Sequence, residues 1–322
     1  MEKAGKEKQP IQKAGDTVMN NKLESCVLCQ KEFSLLSLQD GFLCDECLNE
    51  GNRQRANQWT VLFKKRFDRF RQLCRQCCKN GDLETIHQAR VTGRKIASLL
   101  QFLKVKKRHP LRSALKEIHS LLSPIREADV FLQTFEGRSG AVHQELLKKV
   151  ARKRNKLQKK MEQKMPKLLK NVKQLSAAFL SDELPSLLAV VDQEQQIQSF
   201  ENRFADKAVR FHHLAASHGK QSAKAVKALH RVRIQAKLLR YMYADLSERT
   251  GQDYSSKEND YKAIQSQFGE INDVQDWIEK LERYERKLNV SKKETLLLKK
   301  KWQNRLRALI KEVDIKPKAR AV

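Results

Sequence analysis

The 322-residue chain has no run of about 18 apolar residues, so no segment reads as a helix that crosses a bilayer. Its start, MEKAGKEKQP, lacks the apolar stretch of a secretory leader, and the expected compartment is the cytoplasm. Beyond Trp59 clear strand signals are absent, which excludes a sheet-based architecture for most of the length. No RRM, KH or homeodomain-like motif appears, nor a row of aromatics suited to stacking on bases. Cysteine is too scarce and too clustered for a disulfide framework: seven residues, an odd number, fall as two close pairs and one group, which suits metal binding or reduced thiols.

Acidic residues are also short. Against 66 Lys and Arg stand 38 Asp and Glu, a net charge of +28, and a surplus of that size calls for an anionic partner. Residues 1–56 hold eight basic and nine acidic side chains, leaving 58 basic against 29 acidic over 57–322. The positive field belongs to the second region.

Three segments follow from pattern. Residues 1–22 are polar and aperiodic and are expected to be a disordered tail. Residues 23–56 contain CVLCQKEFSLLSLQDGFLCDEC, two C-x2-C pairs flanking a strand-like stretch and an Asp40-Gly41 hairpin turn. Four thiolates, Cys26, Cys29, Cys44 and Cys47, can surround one structural Zn²⁺ tetrahedrally in a zinc-ribbon or treble-clef-like module; the alternative is four reduced cysteines in a largely unfolded segment. Residues 57–322 read as helices, in two halves of about 57–181 and 192–315. Phe63, Phe67, Phe70, Cys74 and Cys77 recur at helical steps, so Cys74 and Cys77 are expected in a core rather than on a metal. Further helices are predicted at about 83–106, 111–135, 140–165, 167–180, 194–217, 222–247, 257–287 and 291–313, with Pro166 kinking or breaking its segment.

The two halves repeat a basic comb. IHQARVTGRK at 86–95 and LHRVRIQAKL at 229–238 place His87, Arg90 and Arg94, and His230, Arg233 and Lys237, at steps of three and four along one helix face, at a constant offset of 143. The apolar stripe beside the first comb, Ile86, Ala89, Gly93, Ile96 and Leu100, returns at the same offset as Leu229, Val232, Ala236, Leu239 and Tyr243. Matched apolar and basic layers argue for two homologous halves of about four helices, related by a pseudo-twofold axis, with the combs facing a shared groove. A second echo pairs SPIREADV at 123–130 with GEINDVQD at 269–276. Between the halves, Leu146 to Gln174 carries 12 Lys and Arg and one acid, Glu162, with Lys149, Lys153, Lys156 and Lys160 on one face. Anion binding or a solvated helix face explains that run equally well.

These segments resemble the CHAD family, the conserved histidine α-helical domain. IHQARVTGRK and LHRVRIQAKLLRY are similar to its two histidine helices, and IREADV and GEINDV to its paired acidic segments, over roughly residues 57–315. The resemblance implies an all-α fold of two four-helix bundles around a basic channel. It also implies binding of inorganic polyphosphate, with the protein associated with polyphosphate granules. Carried over by position, it points to His87, Arg90, Arg94 and Lys95, to Arg126, and to His230, Arg233, Lys237 and Arg240. Glu127 stands where that family's segment has Asp, and Ala97 stands opposite Arg240.

Polyphosphate carries about one charge per phosphate with no intervening sugar, and a dense cationic comb matches that density. Arginines can grip phosphate oxygens in bidentate fashion, and lysines act as mobile point charges. The histidines either donate to the anion or fasten neighbouring helices. Three other functions are weighed. Nucleic acid could occupy the same groove, or a nucleic acid or protein partner the cysteine module. A scaffold could join polyphosphate to a recruited protein. An enzyme is disfavoured, because the E-x-E-x-K motif of the triphosphate tunnel domain attached to some CHAD domains is missing. Asp129, Glu127, Asp273 and Asp276 are then better explained as caps or counter-charges than as Mg²⁺ ligands.

Overall fold

The computed structural model describes residues 23–25, 31–34, 38–39 and 43–315. Two compact units meet between Arg55 and Ala56. The smaller holds two antiparallel strand pairs, β1 (Leu23–Ser25) with β2 (Glu32–Ser34), and β3 (Leu38–Gln39) with β4 (Leu43–Cys44). The register Leu38↔Cys44 and Gln39↔Leu43 puts the second pair on either side of the Asp40-Gly41 dipeptide, which itself lies outside the described residues. So do the 1–22 tail and two of the proposed zinc ligands, Cys26 and Cys29, while Cys44 ends β4 and Cys47 falls in the first turn of α1 (Asp45–Lys79).

Beyond Arg55 the described structure is helical. α2 (Leu83–Phe102), α3 (Pro110–Phe135) and α4 (Ala141–Ala178) follow α1; after a π-helical turn and the short α5 (Leu184–Val190) come α6 (Gln193–His218), α7 (Ala223–Thr250), α8 (Ser255–Tyr284) and α9 (Lys292–Lys311). Their ends follow side-chain chemistry. Asp82 accepts from the Thr85 amide at 2.8 Å, Asp192 from Gln195 at 3.0 Å and Ser222 from Ala225 at 3.2 Å, each satisfying a donor that the first helical turn leaves unpaired. Gly251 closes α7 with φ of 72°, a left-handed conformation that favours glycine.

Pro166 corrects one expectation. α4 runs through it without a break, although proline removes a backbone donor and costs about 3 kcal/mol inside a helix. Burial offsets that cost: Met161, Met165, Leu168, Leu169 and Val172 on both sides of the proline are all in the core. α1 is also longer than the apolar pattern implies, because its upstream turns are polar.

Adjacent helices pack as antiparallel neighbours, α2 on α3, α3 on α4, α6 on α7, α7 on α8 and α8 on α9. Earlier helices meet later ones where α2 packs on α7 and α4 on both α8 and α9, and salt bridges tie α1 to α7. The hydrophobic clusters likewise cross between the expected halves. One gathers residues from every helix from α1 to α9; the other sets the end of α3 and the start of α4 against α8 and α9. Cys74 and Cys77 are fully buried in the first, as their spacing implied, with Cys78 packed at its margin. Burial pushes the Cys77 thiol up to about 12, so it behaves as an apolar core group.

Candidate functional site

Both apolar stripes of the repeat are buried: Ile86, Ala89, Gly93, Ile96 and Leu100 on α2, and Leu229, Val232, Ala236, Leu239 and Tyr243 on α7. Each comb is thereby held beside a face that packing fixes. Since α2 and α7 pack on one another, the two combs are brought together. Arg94 acts electrostatically on Arg90 and His87 of its own helix and on Arg233 and Lys237 across the contact.

The Lys237 ammonium carries the largest consequence. Burial, followed by Arg233, Arg94 and Arg90, pulls it down to about 7, with only Asp273 opposing. Burial and then Arg94 bring Arg90 down to about 10. Among the described residues no carboxylate closes a salt bridge with Arg90, Arg94, Arg126, Arg233 or Lys237. Buried nitrogens on three of them, Arg90 Nε, Arg126 Nη1 and Arg233 Nε, have no hydrogen-bond partner in the protein. A buried guanidinium nitrogen left unpaired is costly, and an anion between the helices would satisfy it.

The helical segments of the second echo, on α3 and α8, flank the combs in matching ways. Glu127 of IREADV acts on Arg90, and Asp273 of GEINDV acts on Arg233. Desolvation raises both carboxyls, and Asp276 raises both further. Asn272 bonds His230 Nδ1 through its Oδ1 at 3.1 Å, while its Nδ2 donates to the Phe268 carbonyl. That fixes the amide, so His230 Nδ1–H is the donor and Nε2 faces away from it. At the position of Asn272 the first half has Arg126, beside His87. Burial first and Arg126 second lower the His87 pKa.

Two expected comb residues go elsewhere. Lys95 lies by Arg66, Asp245, Glu248 and Glu258. Arg240 reaches Glu258 at 3.5 Å and donates to Gln265 Oε1 at 3.0 Å. Both belong to an internal ion network in which Arg66 bridges Asp245, at 2.8 Å, and Glu248. Of the α4 row, Lys153 meets Glu127 and Asp276 together with Lys280 and Arg283 of α8; Lys149 is half-buried and Lys156 exposed. The neighbouring Arg154 instead bonds Asp129 at 2.9 Å and the Gly81 carbonyl, which makes Asp129 a structural counter-charge.

His119 on α3 escaped the sequence reading. Burial, then Arg94 and Arg90, lower it to about 4, so it is a neutral ring beneath the comb. It fits there because residue 93 is glycine: a Cβ would lie 2.8 Å from both His119 Nε2 and Phe70 Cε2. Its only signal was adjacency to Ile118 on the buried stripe of α3. Among the described residues, no three His, Cys, Asp or Glu side chains are grouped to hold a metal, and no helix is long and apolar enough to cross a membrane.

Paired histidine helices packed within an all-helical unit place the chain in a class of helical proteins built around two repeated helices. The chain belongs to the CHAD family: the model of the CHAD domain matches residues 62–282. Its structure is similar to the crystal structure of the CHAD domain from the plant Ricinus communis, with a TM-score of 0.57 and 17% identity over 80% of this chain and 92% of that one. At that identity the shared property is the fold. No curated protein matches the chain.

Proposed function

We propose that the protein binds inorganic polyphosphate in a basic channel between pseudo-twofold-related halves, α1 to α4 and α6 to α9, without turning it over. The observation that carries this reading is the gathering of Arg90, Arg94, Arg233 and Lys237 at the α2–α7 contact with no salt bridge among the described residues, only the nearby charges of Glu127 and Asp273, at a desolvation cost large enough to bring a lysine to about 7. Such a cluster opposes folding unless an anion offsets it, and a chain of linked phosphates supplies charges at the density of the combs. Membership of a family expected to bind polyphosphate supports the same reading. Arg126 and Lys153 extend the cationic path at its margin, with His87 and His230 beside it.

The test is charge reversal. Arg90→Glu with Arg233→Glu should abolish retention of long-chain polyphosphate in a filter assay at moderate salt, while far-ultraviolet circular dichroism keeps its helical signal. Retained binding would remove the combs from the function. Nucleic acid is the second reading, because the same field attracts any polyanion. Polyphosphate should displace RNA at the lower phosphate concentration; the reverse order would favour nucleic acid. Incubation with polyphosphate and Mg²⁺ should release no orthophosphate.

A further inference from the structure

Away from the combs, the second hydrophobic cluster opens into a cleft of about 480 Å³, within the range of about 300–1,000 Å³ usual for small-molecule sites. Four rings line it. Phe135 is the hub, with centroid distances of 4.9 Å to Trp277, 5.3 Å to Trp302 and 5.3 Å to His143; Trp302 also lies 5.9 Å from His143 and from Trp277. Phe135 and Trp302 are buried and Trp277 is half-buried, so the cleft offers a partly accessible indole beside a fixed aromatic floor. Three exposed cations, Arg138, Lys301 and Arg305, complete the lining, and no carboxylate joins them. Arg305 is loosely tied to Glu270 at 3.3 Å, with both side chains well exposed. Arg138 and Lys301 both act on His143, which sits in the first turn of α4. That turn begins at Gly140 with no side-chain cap, leaving its amides for an anion.

The lining selects its ligand by what it lacks. The Thr134 hydroxyl already donates to the Val130 carbonyl at 2.7 Å, and the lining holds donors but no carboxylate to accept from the amide hydrogens of a peptide. A planar ring needs only the aromatic surface, and a phosphate attached to it needs only the cations. We propose that this cleft binds a nucleobase bearing a sugar phosphate, its base stacked on Trp277 and its phosphate held by Arg138 and Lys301. Free nucleotides and the 5′ end of an RNA strand share that chemistry. This site is separate from the combs and does not depend on their ligand.

Binding is measured on the full chain by calorimetry and by quenching of tryptophan fluorescence. The probes are adenosine 5′-monophosphate, adenosine, tripolyphosphate, and a short RNA with either a 5′-phosphate or a 5′-hydroxyl. The monophosphate or the 5′-phosphorylated RNA should bind at least about tenfold more tightly than adenosine, and the tighter of the two identifies the source. Tripolyphosphate should leave the fluorescence unchanged. Trp277→Ala should weaken binding about tenfold or more, and Arg138→Glu with Lys301→Glu, both exposed and away from the core, should do the same if the first variant does not fold. Arg90→Glu with Arg233→Glu should leave nucleotide binding intact, which separates this site from the polyphosphate reading. Equal quenching by tripolyphosphate, full affinity in Arg138→Glu with Lys301→Glu, or loss of nucleotide binding in the comb variant would overturn the proposal.

Discussion

The pH dependence of polyphosphate binding should be set by Lys237. In the free protein burial, then Arg233, Arg94 and Arg90, hold its pKa at about 7, with Asp273 the single opposing charge. Phosphate oxygens around the ammonium reverse these causes and return it towards the ordinary lysine value, so binding takes up a proton wherever Lys237 starts neutral. The charged fraction of the free protein is then about nine-tenths at pH 6 and about one-tenth at pH 8. The dissociation constant for long-chain polyphosphate should therefore rise about tenfold over that interval, or about 1.4 kcal/mol. Interior phosphates of a long chain do not titrate here, so the slope belongs to the protein. His87, already below its usual value, adds only at the acid end. Stability without ligand has the opposite sign: between about 7 and the ordinary lysine pKa the unfolded chain binds the extra proton, so stability rises with pH through that window. Calorimetric titration at constant ionic strength reads the first effect and urea unfolding the second. Lys237→Arg, charged throughout, should flatten the binding curve. Equal affinities at pH 6 and 8, or an unchanged slope in Lys237→Arg, would refute the argument.

Other consequences are simpler. Gly93→Ala should lose about 1–2 kcal/mol in thermal or urea unfolding, because the displaced His119 and Phe70 rings cost more than the gain in helix propensity; an increase in stability would contradict the close packing there. Arg94→Gln should weaken polyphosphate binding about tenfold with little loss of stability, since it removes repulsion as well as a ligand. Lys95→Gln should do the reverse, costing about 1 kcal/mol in unfolding and leaving binding nearly unchanged, because Lys95 compensates Asp245 and Glu248. The spacing of Cys26, Cys29, Cys44 and Cys47 leads us to expect one Zn²⁺ per chain by metal analysis, lost in Cys26→Ser with Cys29→Ser; a metal-free wild-type protein would dismiss the module.

The helices were legible because burial writes a period into the sequence. The stripes of α2 and α7, read at an offset of 143 residues, are the buried faces observed, and the breaks at Gly81, Gly137 and His109-Pro110 fall where α2, α3 and α4 are delimited. Pro166 misled because a local rule was read without its tertiary context: apolar neighbours on both sides hold the helix through the missing bond. The aromatic cleft was missed for a related reason. Phe135, His143, Trp277 and Trp302 come from α3, α4, α8 and α9, and nothing in a linear pattern places four separate rings together.

Charge was legible in amount and only partly in placement. α2 carries Arg90, Arg94 and Lys95 within one turn and a half, yet the first two meet the opposite comb while the third, about 100° round the helix from Arg94, turns into a cluster of carboxylates. The distinction depends on what the neighbouring helix presents. α7 sets Arg233 and Lys237 against α2 near Arg94, and Asp245 and Glu248 near Lys95. The α2–α7 contact thus carries both an ion network tied by Arg66 to Asp245 and Glu248 and a group of cations that no salt bridge among the described residues closes. The first ties the helices together, and that hold keeps the second in place despite its mutual repulsion. Weakening the network, as in Asp245→Asn, should therefore loosen the geometry of the combs as well as the fold.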